Sequence, residues 1–362
     1  MNFIHIAPDL KWAKIFILPL AEKQSNEGNK VYLSAPSNAS NDENNTPVET
    51  LNLIGKLKNP KSHFFGICRL IHTIKTKSIS RVYFHTSIDS FLPMIFIRLF
   101  TNSEVVYVNH GVPYDGYNNL LRIAFKIIEL SNIVCSHRVI SITKSMTSLL
   151  QKVNFFHKSI DTLEPGTISG ISLKFNNYSS LLETRQQIAS KIDKDILRII
   201  YVARIEARKG IYELVEAVSN YQTKDIHLSI LGNGRENLSD VSFDKDIVSI
   251  EGYIDDLTDF YLNADILIVP SYHEGFGQVY LEAASLGVIP VCSNIIGPTD
   301  FIINEYNGFT VTPKSTQAIT NLLNEILSGK YDLDQIRLNA FNSAKRFDSR
   351  IVLQNNIKVF NK

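Results

Sequence analysis

Short apolar runs recur along the first part of the chain, at Phe3 to Ala7, Lys30 to Ser34, Arg81 to His85, Glu104 to Asn109 and Arg138 to Thr143. Longer stretches of helical spacing lie between them. Strand, helix and strand repeated in this way predict a doubly wound α/β domain with a parallel sheet. The runs are continuous rather than alternating, as strands covered on both faces read. A polar stretch from Asn176 to Asp195 breaks the pattern, which resumes at Ile196 with strands at Leu197 to Val202, Ile226 to Ile230, Ile247 to Ile250 and Asp265 to Pro270. The boundaries that follow are a first domain over 1–175, a linker over 176–195 and a second domain over 196–346.

At 362 residues the chain is long enough for two such domains, each with its own core. A net charge of +1, from 37 basic and 36 acidic residues, gives no case for wholesale nucleic-acid binding. Cys68, Cys135 and Cys292 are far apart among apolar neighbours, which predicts reduced, buried thiols and a cytoplasmic setting. No basic leader with a long apolar core opens the chain, and no apolar run approaches the ~20 residues of a membrane span. The Asn-rich, aperiodic segment Asn38 to Pro47 reads as a mobile loop.

Open parallel sheets bind ligands beyond the carboxyl ends of their strands, so polar residues there carry the candidate chemistry. In the run from Pro270 to Gly287 a buried strand ends, Glu274-Gly-Phe-Gly277 turns, and a helix begins at Gln278. The first amides of that helix, with glycines that admit close approach, form an anion-binding corner. Glu282 lies about one turn into the helix among apolar residues, and either faces outward or holds a ligand's hydroxyls. Arg204 and Lys209 bracket a loop that runs into another helix N-terminus, which suits a diphosphate. His110 leaves the strand Glu104 to Asn109 beside Gly111. A lone His is as often structural, but a strand exit with room for approach favours a ligand role. Leu231-Gly-Asn-Gly234 is no dinucleotide fingerprint, because Asn237 stands where the third glycine is needed.

Glu274-Gly-Phe-Gly-x4-Glu282, followed by Ala-Ala-Ser-Leu-Gly287 and Val-Ile-Pro-Val291, resembles the Glu-x7-Glu signature of family 4 glycosyltransferases. The resemblance implies a retaining enzyme of the GT-B fold, with two Rossmann-like doubly wound domains facing a central cleft and a last helix, 347–362, that packs back on the first. It assigns Glu274 to the donor sugar and Glu282 to the ribose, with the backbone of Gly275, Phe276, Gly277 and Gln278 at the sugar and diphosphate. The element Arg204-x4-Lys209-Gly210 matches the family's phosphate-binding loop, although Ala203 replaces a glycine. Gly232 lines the nucleotide site, Ile254 takes the base-contacting position, and Gly297 lies near the phosphates. The step Asn-His110-Gly111 is similar to that of capsule and O-antigen enzymes, where the His faces the donor sugar; His85 matches the same branch. The first loop departs from the family, with Ala7-Pro-Asp-Leu-Lys-Trp-Ala-Lys14 in place of Gly-Gly.

The implied reaction transfers a sugar from a uridine diphosphate donor to a saccharide, expected to be lipid-linked, with the departing phosphate taking the acceptor proton. Neutralisation of the leaving charge by cations fits metal independence, and no cofactor is expected. A sugar-nucleotide epimerase of the same fold and a non-catalytic partner in polysaccharide assembly are the competing readings; retention of Arg204, Lys209, Glu274 and Glu282 together argues against both. Between Thr50 and Ile88 stand seven cations (Lys56, Lys58, Lys61, Arg69, Lys75, Lys77 and Arg81), interleaved with apolar residues and without a single Asp or Glu. That stretch is either a solvated helix face or a peripheral contact with anionic lipid.

Overall fold

β-Branched and aromatic residues fill the short apolar runs, and in the structure those runs are the strands of two parallel sheets. The structure is a computed structural model that describes residues 1–36, 46–53, 60–111, 114, 119–189, 196–221, 225–234, 236, 238 and 243–362. It divides into unit 1, Met1–Gly170 with Ser349–Lys362, and unit 2, Ile171–Asp348. Residues 38–45 of the expected loop, and Lys56 and Lys58, lie outside the described residues.

Unit 1 holds β1 (Asn2–Ile6), α1 (Leu10–Phe16), α2 (Leu18–Asn26), β2 (Lys30–Ser34), β3 (Glu49–Leu51), α3 (Pro60–Thr76) and β4 (Arg81–Phe84). It continues through α4 (Phe91–Phe100), β5 (Glu104–Asn109), α5 (Asn119–Cys135), β6 (Arg138–Ser141), α6 (Lys144–Gln151) and β7 (Ile160–Thr162). The strand order is β3-β2-β1-β4-β5-β6-β7, every pair parallel. Winding runs outward from β1 in both directions, so the crevice between the β1 and β4 ends is the switch point. Two short strands, β3 and β7, were not legible as apolar runs; their residues are half-exposed or exposed and they lie at the sheet's edges.

Unit 2 opens with α7 (Tyr178–Ala189), β8 (Leu197–Val202), α8 (Ile211–Ser219), β9 (Ile226–Leu231), β10 (Val248–Gly252), α9 (Thr258–Asn263) and β11 (Ile266–Val269). It ends with α10 (Gln278–Ser285), β12 (Ile289–Ser293), β13 (Phe309–Val311), α11 (Thr316–Leu327) and α12 (Leu333–Ala344). Its order, β10-β9-β8-β11-β12-β13, places the second switch point between β8 and β11. The chain then re-enters unit 1 as α13 (Ser349–Phe360), where Asn356 donates to the carbonyls of Thr167 and Ile168 at 2.7 and 2.9 Å.

Two readings of the sequence need correction. The stretch 176–195 is no bare linker, because α7 belongs to unit 2: Leu181 is buried, and the Arg185 guanidinium donates to the carbonyls of Tyr261, Ala264 and Leu286 at 3.1, 2.5 and 3.1 Å. The boundaries accordingly fall at Gly170/Ile171 and Asp348/Ser349. The thiols are not uniformly buried either, since Cys68 is exposed on α3 and only Cys292 is fully enclosed. No helix among the described residues is long and apolar enough to cross a membrane.

Arg185 closes the carbonyls of Ala264 and Leu286, adds a second donor to the Tyr261 carbonyl that already takes the Ala264 amide at 3.2 Å, and lies 3.8 Å from Asp265. Each orphaned group costs on the order of 1–3 kcal/mol. Arg185→Leu is therefore expected to lower unfolding free energy by about 3 kcal/mol, read from the urea midpoint of unit 2. A loss below about 1 kcal/mol would mean that α7 is held by its apolar face alone.

Candidate active site

At the β11–α10 corner, Gly277 takes φ 83°, a left-handed conformation that suits glycine. A Cβ there would collide with the ring of Tyr280, which is buried and donates its hydroxyl to Val269 at 2.7 Å. The corner is thus set by the strand below it. No side chain caps the N-terminus of α10, so its first amides are oriented at the carboxyl edge of the sheet. Phe276 does not reach outward; it is buried and packs on Phe347, ring centroids 5.4 Å apart, so any ligand contact of Phe276 would be through its backbone.

The loop after β8 lies against this corner. Gly210, at φ 72°, has no room for a side chain because Pro270 backs onto it, and the Tyr272 amide donates to the Arg208 carbonyl at 2.9 Å. On its other side the loop meets the end of β9, where side chains at Gly232 and Gly234 would collide with the carbonyls of Ala203 and Ile205. Both glycines of Gly-Asn-Gly are therefore needed for backbone packing, whatever Gly232 also does for a ligand. Glu236 accepts the Ala207 amide at 3.1 Å and the Tyr212 hydroxyl, fixing the short turn Ala207–Lys209; sequence reasoning missed it, since a lone Glu after a glycine turn carries no signal.

These contacts bring Lys209 and Glu274 into a direct ion pair, with both side chains largely enclosed. Burial pushes the Glu274 carboxyl up, but the Lys209 ammonium and the hydrogen bonds from Lys209 and Ser271 outweigh it, and the net shift is downward. Arg204 stands apart from that pair, 61% exposed and 3.0 Å from Glu206, which also holds Arg208 at 2.6 Å. Glu282 is enclosed on α10 and has the Tyr261 hydroxyl at 3.5 Å. Burial raises its pKa against the weaker pull of that hydroxyl, so its ionised form is under-supplied with donors. Ile254, half-exposed, follows β10, and Gly297, at φ 99°, follows β12. The loops that carry Arg204, Lys209, Gly232, Ile254, Glu274 and Gly297 all leave the carboxyl edge of one sheet.

In unit 1, His110 leaves β5 at the matching edge. Asn109 anchors the step, donating to the Gly111 carbonyl and to Glu129, both at 2.9 Å. Glu129 is fully buried and its pKa is pushed up to about 7 by that burial. Asp9 caps α1 by accepting the Trp12 amide at 2.8 Å, and Trp12 then stands edge-on to the His110 ring at 4.7 Å. His85, from the end of β4, is 2.9 Å from His110, and His5 of β1 is 2.9 Å from His85. His5 was not singled out in the sequence, although a His inside an apolar strand was the available signal. Among the described residues no group of three or more His, Cys, Asp or Glu is placed to hold a metal ion.

Residues 183–343 match the family described as glycosyl transferases group 1. The chain is 26% identical over 272 residues to the Staphylococcus aureus capsular polysaccharide biosynthesis glycosyltransferase CapM, covering 71% of this chain and 70% of that protein. It is 23% identical over 315 residues to an Escherichia coli UDP-Gal:alpha-D-GlcNAc-diphosphoundecaprenol alpha-1,3-galactosyltransferase, covering 82% and 79%. In fold it is similar to Anabaena HepE, crystallised with UDP and glucose, at a TM-score of 0.78 and 15% identity over 100% of this chain and 99% of that one.

Removing the cation tests the electrostatics of the pair. Lys209→Met leaves Glu274 enclosed without its counter-charge, which for a buried pair costs about 3 kcal/mol at pH 7. In the native protein the depressed Glu274 pKa contributes stability that is present above the unfolded carboxyl value and is lost as pH falls through the folded one. In the variant the buried carboxyl is relieved by protonation, so the deficit should shrink toward pH 4 in urea titrations. A deficit independent of pH would count against the pairing.

Proposed function

From the match of residues 183–343 to the group 1 glycosyl transferases and the GT-B fold we propose that the chain is a glycosyltransferase that moves a sugar from a uridine diphosphate donor to a hydroxyl of a lipid-linked saccharide, with retention at the anomeric carbon. The observation that carries the reading is the Lys209–Glu274 pair set beside the uncapped amides of α10. An ammonium has three protons, and one committed to Glu274 leaves two for a diphosphate. Exposed Arg204 adds a planar fork of donors. In transfer, the bond from the anomeric carbon to the diphosphate oxygen breaks as the acceptor oxygen bonds that carbon, and the acceptor proton passes to the departing phosphate. The charge gathering on that phosphate is met by Lys209, Arg204 and the helix amides, and the reading calls for no metal. Glu282, short of donors, takes the ribose hydroxyls, and Glu274 orients the sugar; for His110 of unit 1 a sugar is the ligand that the resemblance implies. The donor is supported by the galactosyltransferase that names UDP-Gal and by HepE with UDP; CapM supports a place in surface polysaccharide synthesis.

Incubation with labelled UDP-hexoses and UDP-N-acetylhexosamines should release UDP only when a diphosphoundecaprenol-linked saccharide is present; release without acceptor transfer, or epimerised donor, would overturn the reading. By calorimetry Glu282→Gln is expected to weaken free UDP by about 10- to 100-fold, the loss of a charged hydrogen-bond acceptor. Glu274→Gln should hold UDP within about threefold and lose roughly 10²- to 10³-fold in turnover. Equal loss of UDP affinity in both would refute the division of roles.

The acceptor's lipid directs attention to one face of unit 1. The basic stretch is smaller than its sequence suggests, because Lys77 pairs with Glu49 and Arg81 is buried against Glu104 and the Phe360 carbonyl. It is also wider, since α3 packs on α4 and α4 on α5. These helices expose Phe64, Phe65, Leu99, Phe100, Leu120 and Leu121 beside Lys61, Arg69, Lys75, Arg98 and Arg122. Their one acid, Glu129, is fully buried. Apolar side chains ringed by uncompensated cations fit an anionic lipid surface, at about 1 kcal/mol per cation. On this reading the enzyme works at the cytoplasmic membrane face. Co-sedimentation with phosphatidylglycerol vesicles should be strong at low salt, weaken with salt, and fall at least about tenfold in Lys61→Glu, Arg98→Glu, Arg122→Glu combined. Equal binding by the triple variant would reject the surface.

A further inference from the structure

We propose that a one-directional hydrogen-bond chain inside unit 1 fixes the tautomer of His110, so that its Nε2 carries the proton and its Nδ1 is a permanent hydrogen-bond acceptor, with His5, His85 and Gln24 as positioning residues. The chain begins at a group whose role is not negotiable, the backbone carbonyl of Phe360 on α13, which only accepts. The Tyr83 hydroxyl donates to it at 2.7 Å. With its proton committed, the Tyr83 oxygen meets Gln24 as an acceptor, so the nearby Gln24 atom, at 3.4 Å, is the amide nitrogen. That nitrogen also faces the Asn361 side-chain oxygen at 3.4 Å, which agrees with the assignment. Gln24 Oε1 is thereby turned to His5 Nε2, 2.7 Å away, and His5 must donate.

From there each ring decides the next. A neutral imidazole has one donor and one acceptor nitrogen, and which is which is inferred from its partners. His5 donates from Nε2, so its Nδ1 accepts from His85 Nε2 at 2.9 Å. His85 Nδ1 in turn accepts from His110 Nε2, also at 2.9 Å. Among the described residues His110 Nδ1 has no protein partner, and of the three rings only His110 is not fully buried. The rings are neutral because burial lowers all three: His5 to about 4, His85 well below the ordinary value, and His110 to about 3. Among the described residues no carboxylate hydrogen-bonds to the three rings; Tyr83 stacks on His5, Phe360 lies tilted against it, and Trp12 stands edge-on to His110. A reversed chain would set two lone pairs against each other between His5 and Gln24. The consequence is an acceptor that cannot become a donor, suited to a hydroxyl-bearing ligand. That the ligand is the donor sugar rests on the function proposed above; the tautomer does not.

The test is nitrogen-15 NMR of the imidazoles near pH 7 in the full-length protein, with His110 assigned by its loss in His110→Gln. A pyrrole-type signal at Nε2 and a pyridine-type signal at Nδ1 are expected. His85→Gln can still accept from His110 and donate to His5, and should keep that pattern; His85→Leu should lose it, with kcat/KM falling on the order of 10- to 100-fold and the Gln variant near native. A proton on Nδ1 of native His110, a charged ring, or an unchanged tautomer in His85→Leu would overturn the proposal, and the first two need no variant to fold. If the tautomer behaves as stated but no donor is turned over, the relay stands and the transfer reading falls.

Discussion

Parallel pairing is the constraint from which the rest of this molecule follows. Every strand in both sheets runs the same way as its neighbours, so each connection must cross over the sheet and both faces are covered by helices. The covered strands are then mostly apolar, as β11 and β12 are, and functional polarity gathers at their ends. Because all the carboxyl ends share one edge, residues far apart in sequence, such as Arg204, Glu274 and Gly297, arrive at that edge together. Where the winding reverses, between β8 and β11, two loops diverge and leave room for a ligand.

A second constraint acts on what collects there: a charge withdrawn from water must find a counter-charge or donors. Glu274 finds Lys209 and stays ionised, whereas among the described residues Glu282 finds the Tyr261 hydroxyl alone and is pushed toward its neutral form. Two carboxylates eight positions apart therefore meet a ligand in opposite conditions, one already satisfied and one waiting. The difference is made by backbone packing, because Gly210 against Pro270 brings Lys209 within reach of Glu274 and nothing comparable approaches Glu282.

Much of this was legible in the residues. Continuous apolar runs gave most of the strands to within a residue or two, and the Glu-Gly-Phe-Gly turn gave the corner, since strand burial and glycine conformation are local properties. What was hidden depended on partners distant in sequence. Arg185 reads as one more polar residue of a linker, and only its three carbonyls make α7 part of unit 2. Lys77 and Arg81 read as members of a basic surface until Glu49 and Glu104 claim them. Glycines mislead in the other direction, because Gly232 reads as a ligand contact and is required first by the carbonyl of Ala203.

The return of α13 to unit 1 sets an order of events during synthesis. Residues 349–362 leave the ribosome after all of unit 2, so unit 2 has its complete sequence available first, although unit 1 begins the chain. Until Phe360 arrives, the buried Tyr83 hydroxyl and one arm of Arg81 lack the carbonyl that both use, and Thr167 and Ile168 lack Asn356. Unit 1 therefore waits, nearly assembled, for a segment made only after the whole of unit 2. A nascent chain that ended at Asp348 would carry the whole of unit 2 and an open unit 1.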